Sequence, residues 1–331
     1  MQRRTLVITL GLIVLVALQV VTAFADPLPG ETLKFLNSPL MVSPTNPYPG
    51  HDEISTVYPT AVAPGYTGQY MADDFADKFN TPVVHVQWWG SYLQGFAGTG
   101  VKDFLVAFES DVPAGPNGEP SHPGNILSAQ IVTLGQLAPG SGTFTETPLP
   151  NPGSPDGGTL YQYNAELQVP FAEKADTVYW LKIVAIVNPA TDGQIAWGWH
   201  DRDWTVPNVL ASTAPAVVPG EHVAGVVPPG LTVNHFQDDA VAGTIGINGL
   251  ATPPVAGPIS PSLIDQAIGT PQNYILPYDG PPGVAGQLPG IDSFSKDLAF
   301  ALYTRVPEPS SIVLCLLGAL GLVALSRPRG K

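Results

Sequence analysis

Through much of the chain apolar and polar residues alternate with a period of two, the spacing of a strand whose successive side chains point to opposite faces. In Val83–Leu93, Val84, Val86 and Trp88 alternate with His85, Gln87 and Trp89. In Asp103–Glu109, Phe104, Val106 and Phe108 oppose Asp103, Leu105, Ala107 and Glu109. In Leu160–Val169, Tyr161, Tyr163, Ala165, Leu167 and Val169 oppose Leu160, Gln162, Asn164, Glu166 and Gln168. Thr177–Val187 is β-branched and almost continuously apolar, as a central strand covered on both faces would be. Ile195–Trp199, Leu231–Phe236 and Leu298–Thr304 bring the expected total to about seven to nine strands. Only Ser262–Ile268 offers two turns of helix. The 35 glycines and 37 prolines fall mostly between the apolar runs, which favours short strands and turns. The pattern predicts an all-β fold, a β-sandwich of jelly-roll type with long Pro/Gly-rich loops. Ala211–Gly230 and Leu250–Gly290 are such loops, the second long enough to predict an irregular flap or a mobile segment.

The two ends carry different signals. Arg3 and Arg4 precede an apolar run, Leu6–Val21, that closes on Ala23-Phe24-Ala25. A basic start, a short apolar centre and small residues before the cut describe a secretory signal peptide, cleaved after Ala25. At the other end Val306-Pro307-Glu308-Pro309-Ser310-Ser311 runs into apolar Ile312–Leu325 and then Arg327, Arg329 and Lys331. Physically this is a rigid spacer, a helix that crosses the membrane with its backbone bonds satisfied internally, and a cationic cap held on the cytoplasmic side.

This tail resembles the PEP-CTERM sorting signal, in which a V-P-E-P motif precedes a transmembrane helix and a basic end. It departs from that pattern only in Pro328 and Gly330, interleaved among the basic residues. The resemblance covers about the last twenty-six residues. It implies processing by an exosortase, a membrane-embedded cysteine transpeptidase-like protease. It also implies a Gram-negative-type envelope and, often, an extracellular polysaccharide matrix. The organisation expected is therefore a signal peptide at 1–25, a body at 26–305 and a sorting signal with its transmembrane helix at 306–331.

Charge narrows the partners. The body holds 26 of the 27 acidic residues against eight basic ones, a formal charge of −18. No basic footprint for phosphates is left, so nucleic acid is excluded, whereas cations, neutral glycans and basic proteins stay open. The single cysteine, Cys315, lies in the tail, so the body has neither a disulfide nor a Cys-based nucleophile or zinc site.

Two groups of residues invite a chemical reading. Trp197-Gly198-Trp199-His200-Asp201-Arg202-Asp203-Trp204, together with Trp89, could stack on sugar rings while Asp and Arg bond hydroxyls. Equally, Trp197 and Trp199 could belong to the core face of a strand, with Arg202 paired to a carboxylate. The acidic pairs Asp73-Asp74 and Asp238-Asp239 would, on loops, supply the oxygen ligands that calcium prefers. No EF-hand loop, H-E-x-x-H, G-x-S-x-G, P-loop or dinucleotide fingerprint occurs, and the six histidines show no metal-ligand spacing. Ser121-His122-Pro123-Gly124 reads as a turn. The body is loosely similar to uncharacterised exported proteins in which Ala-Asp-Asp-Phe precedes Trp-Trp-Gly-Ser, here Ala72–Phe75 and Trp88–Ser91. Two functions follow: a non-catalytic structural or glycan-binding surface protein, or a secreted polysaccharide hydrolase built on a hidden carboxylate pair.

Overall fold

The computed structural model describes residues 28–42, 50–61, 64–93, 97–113, 121–150, 159–203, 206–212, 240–268 and 297–305. The expected signal peptide, the run 231–236, Trp204, Asp238, Asp239 and the sorting tail with Val306, Pro307, Glu308, Pro309 and Ser310 lie outside the described residues. Among the described residues no helix is long and apolar enough to cross a membrane.

The fold is mostly β. In chain order the strands are β1 (Glu31–Asn37), β2 (Asp52–Ile54), β3 (Thr56–Pro59), β4 (Gly65–Phe75), β5 (Val83–Tyr92), β6 (Ala97–Gly98), β7 (Asp103–Val112), β8 (His122–Leu134) and β9 (Thr143–Pro150). They continue with β10 (Thr159–Phe171), β11 (Tyr179–Ile186), β12 (Gly193–Gln194), β13 (Trp197–His200), β14 (Val241–Asn248), β15 (Gly257–Pro258), β16 (Ile264–Ile268) and β17 (Phe300–Arg305). One helical turn, α1 (Pro189–Asp192), is capped by the side chain of Asn188, which accepts from the Ala190 amide.

One open mixed sheet runs in the order β1-β17-β5-β10-β9-β8-β7-β11-β3-β4-β14-β16, with β13 joining β2 to the side of β5. The sheet bends back on itself, because side chains of its two halves share one core. Phe35 of β1 meets Phe75 of β4 with ring centroids 6.0 Å apart, Trp88 of β5 meets Phe104 of β7 at 5.1 Å, and Phe108 of β7 stacks on Phe171 of β10 at 4.3 Å. Such edge-to-face and offset pairs add to the burial of large apolar rings. The outer face of the β4-β11-β7-β8 half is covered in turn. The segment 240–268 pairs with β4 through β14 and reaches β8 through β15, and Tyr66, Tyr70, Leu105, Ile131, Trp180, Val241 and Ile245 form a second core beneath it.

All ten residues of β5 are buried, as are all eight of β11, in keeping with strands covered on both faces. Trp88 enters the shared core and Trp89 the opposite face, so the alternation holds while both indoles are covered. Two local expectations are corrected. Ser262–Ile268 is not helical: a single 3-10 turn over Pro261–Leu263 leads into β16, where alternating burial and pairing with β14 outweigh the short helical spacing. Ser121-His122-Pro123-Gly124 is not a turn: Ser121 leads directly into β8, whose first residues His122 and Pro123 pair with the end of β7.

Gly90 in β5 shows how close the layers come. A Cβ there would lie 2.3 Å from the Gly198 carbonyl oxygen and 2.3 Å from Trp197 Cζ2, whereas at Gly246 the nearest atom would be 3.8 Å away. Gly90→Ala should destabilise the fold by about 3 kcal/mol or more, and Gly246→Ala should be neutral or slightly stabilising, since overpacking costs far more than glycine's entropy returns. Chemical denaturation of the two variants checks the contrast.

Candidate functional site

Four neighbouring strands bring a set of polar side chains onto one face. In β5 this face carries His85, Gln87, Trp89 and Ser91, and the register sets Glu166, Asn164 and Gln162 of β10 opposite His85, Gln87 and Trp89. On the other side of β5, Tyr303 of β17 is opposite His85, and Arg305 of β17 is opposite Glu31 of β1. Period-two alternation thus gathers Glu31, His85, Glu166, Tyr303 and Arg305 from four separate segments.

Their geometry is that of a closed ion cluster. His85 Nδ1 is 2.8 Å from Glu31 Oε2 and 3.9 Å from Glu166 Oε1. His85 Nε2 faces Asn164 Oδ1 at 3.3 Å, and the same oxygen accepts from Gln87 Nε2 at 2.9 Å. The Tyr303 ring stacks on the imidazole at 4.9 Å, and its hydroxyl donates to Gln87 Oε1 at 3.2 Å. Arg305 Nη2 donates to Glu31 Oε1 at 2.6 Å and to both Glu166 oxygens at 3.0 Å. The side chains of both glutamates are fully buried, while that of Arg305 is 31% exposed.

The two carboxylates are pushed apart in acidity. Burial raises Glu31, but hydrogen bonds from His85 and Glu166 together with the His85 charge bring it down to about 2. Burial and the neighbouring Glu31 push Glu166 up to about 7 against the pull of Arg305. Two like groups in one dry space cannot ionise equally, so the pair holds a proton on one member. Such a split is also that of an acid–base pair. Here, however, both carboxylates are shut from solvent and bridged by one guanidinium, which leaves no room for sugar and water between them. His85 Nδ1 and one oxygen of each glutamate lie within 4.8 Å of one another, the spacing of a three-ligand metal site, but Arg305 already supplies the cation to both carboxylates.

The tryptophan-rich run is not an exposed platform. Trp197 and Trp199 are fully buried in the shared core. Trp197 Nε1 donates to Tyr163 Oη at 3.0 Å, and Trp199 Nε1 to the Ala299 carbonyl at 2.9 Å. His200 is buried between Asp52 Oδ1, 3.0 Å from Nδ1, and the Leu40 carbonyl, 2.7 Å from Nε2. Ser91 bonds the same Asp52 through Oδ2 at 2.7 Å and does not stand on the imidazole, so the trio is a structural chain and not a nucleophile with its base. Asp201 accepts from the His51 amide at 3.1 Å, and Arg202 pairs with Asp297 and donates to the Val206 carbonyl at 3.0 Å. The Asp203 amide bonds the Ser38 carbonyl at 2.7 Å. Among residues 197–203 the core reading of the run therefore replaces the ligand-binding one, and Trp89, covered by Leu160, Ala299 and Ala301, is likewise enclosed.

The calcium expectation at Asp73 and Asp74 also changes. Both lie within β4, not on a loop, and so point to opposite faces, where they cannot share an ion. Asp73 Oδ2 accepts from the Leu298 amide at 2.7 Å; burial and the nearby Asp297 push its carboxyl well up. Asp74 faces the second core beside Trp180.

Glu31, His85, Glu166 and Arg305 were not singled out from the sequence. The available signal was that two alternating runs, 83–93 and 160–169, each carry a polar face where a sandwich strand would be expected to turn polar residues to water.

The fold and these sites define an all-β domain whose buried charges are compensated internally. Residues 33–224 match the domain of unknown function DUF7901, and the chain belongs to that family. The strands β14 to β17 lie beyond the matched range. No curated protein and no solved structure matches the chain.

A second cluster gives a titration test. Lys34 of β1 is fully buried, with Nζ against Glu173 Oε1 and the Thr81 carbonyl and 3.3 Å from Asp77 Oδ2. Burial raises Glu173 to about 8; Lys34 opposes the shift and Asp77 adds to it. A carboxyl raised from 4.5 contributes stability that is present below pH 4.5 and lost as the pH climbs to about 8. Glu166 acts in the same sense up to about 7. The melting temperature should therefore fall between those limits, and Glu173→Gln should flatten the part of the slope above pH 7. A thermal-melt series against pH measures both.

Proposed function

We propose that the chain is an exported protein sorted to the cell surface by its PEP-CTERM-like tail. Its body is a non-catalytic β-sandwich of jelly-roll type that serves as a structural component of the envelope or extracellular matrix. One observation carries this reading. Strand β17 lies between β1 and β5 and ends at Arg305, the residue before Val306 of the sorting motif. Arg305 is fixed to Glu31 of the first strand and to Glu166, so the body is closed at the point where the tail begins. Processing at the motif then separates the apolar helix from the body without cutting a strand. Replacing Pro307-Glu308-Pro309 by three alanines should leave the protein membrane-retained and unprocessed in its host; normal processing, read by immunoblot of membrane and extracellular fractions, would overturn the sorting assignment.

A second reading, glycan binding, draws on a different feature. An open cleft of about 390 Å³ at β4, β14 and β16 has walls that include Thr60, Thr67, Thr244, Asn248 and Asp265. Hydroxyl, amide and carboxyl groups converging on one concavity suit a polyol. On a glycan array, binding by the full chain that Asp265→Ala and Asn248→Ala both weaken at least tenfold would support it, and binding unaffected by either would remove the cleft.

A further inference from the structure

The segment 240–268 covers the outer face of β4, β11, β7 and β8, and one triangle of side chains, two of them buried, pins it there. Lys182 of β11 and Glu109 of β7 are fully buried on that face. Lys182 Nζ contacts both Glu109 Oε1 and Gln266 Oε1 of β16. The third side of the triangle is closed by Gln266 Nε2, which donates to Glu109 Oε2 at 2.8 Å. The ammonium lies 3.9 Å from the centroid of the Tyr70 ring, and Trp180, Tyr66 and Val241 belong to the same dry layer. A buried amine, a half-buried carboxamide and a buried carboxylate that touches both are therefore brought together, with the amine against the carbonyl it would attack. Proximity of this kind turns a slow bimolecular reaction into an effectively unimolecular one.

We propose that Lys182 and Gln266 are joined by an intramolecular isopeptide bond, formed within the folded domain with Glu109 as the proton carrier. Glu109 takes a proton from the Lys182 ammonium, and the free amine attacks Cδ of Gln266. The Nζ–Cδ bond forms while Glu109 passes its proton to Nε2 and removes the surplus proton from Nζ. The Cδ–Nε2 bond breaks, and the nitrogen leaves as ammonium once it takes the proton Glu109 has received. The carboxylate is regenerated, and no oxidant, reductant or cofactor is consumed. Burial favours the reactive form: it holds the Lys182 amine below its ordinary pKa although Glu109 pulls the other way. The product links a central strand to the covering segment across 84 positions of sequence, in a body whose sequence has no cysteine for a disulfide.

Peptide mapping of the full chain by mass spectrometry tests this directly. The expected result is a branched peptide containing Lys182 and Gln266, about 17 Da lighter than its two unlinked parts because ammonia is lost. Glu109→Gln, which keeps the side-chain volume but cannot carry the proton, should abolish the branched peptide, and Gln266→Ala should do the same. Recovery of Lys182 and Gln266 of the unaltered protein only in separate, unmodified linear peptides would overturn the proposal without recourse to any variant. Persistence of the link in Glu109→Gln would overturn the role of Glu109.

Discussion

Both faces of β5 and β11 are covered, and a cation that enters such an interior needs a carboxylate beside it. Four cations accept that condition, each on a different part of the sheet: Lys34 with Asp77 and Glu173, Lys182 with Glu109, Arg202 with Asp297, and Arg305 with Glu31 and Glu166. A buried pair contributes little net stability, because desolvation offsets most of its attraction, yet removing one partner leaves an uncompensated charge and costs about 3–5 kcal/mol. Such pairs act mainly on register. A one-residue slip of β5 or β10 would turn His85 or Glu166 into the aromatic core and Trp88 or Tyr163 out of it, so both errors are penalised together.

The same condition bears on why the first and last described strands meet. Glu31 opposite Arg305 places the first and last described strands side by side, and β17 is not an edge strand but sits between β1 and β5. Its six residues pack Phe300 and Leu302 into the shared core and Ala301 and Tyr303 onto the outer face. The central layer is therefore incomplete until the last strand of the body is available. The two faces of β5 cannot both be closed without it, which makes the sheet strongly non-local in sequence, a topology that folds slowly.

The strands legible in the sequence were those with clean period-two patterns or continuous apolar runs: β5, β7, β10, β11, β13 and β17 were all expected within a few residues of where they lie. Those overlooked have a reason. β4 mixes Gly, Thr, Gln and two aspartates: Thr67 and Gln69 are exposed, while Asp73 and Asp74 sit in its continuously buried end, so no single period marks it as a strand. β8 carries Pro and Gly in its first residues, His122-Pro123-Gly124, and β14 holds Gly243 where Tyr70 and β16 approach closely; a Cβ there would meet Tyr70 Cε1 and the Ala267 carbonyl oxygen at 2.5 Å. Of the candidate chemistry, alternation placed His85, Gln87, Asn164 and Glu166 on polar faces. It could not say that those faces adjoin, because register between segments far apart in the chain is set by tertiary packing.

The tryptophans make the same point in reverse. A run of indole, imidazole, carboxylate and guanidinium from Trp197 to Asp203 has the composition of a sugar site, and its residues instead satisfy one another and the backbone around them. The deciding factor is the partner of each polar atom. Trp197 gives its N–H to Tyr163 and Trp199 to Ala299, while His200 is held by Asp52 and Leu40. An indole whose N–H is bonded inside a closed core offers neither face nor donor to a ligand. The open cleft beside β14 and β16, by contrast, presents Thr, Asn and Asp side chains along its wall. Thr244, Asn248, Asp265 and Gln266 in that wall belong to the covering segment held through Lys182 and Glu109, so the rigidity of the cleft depends on the contacts that Gln266 makes with them.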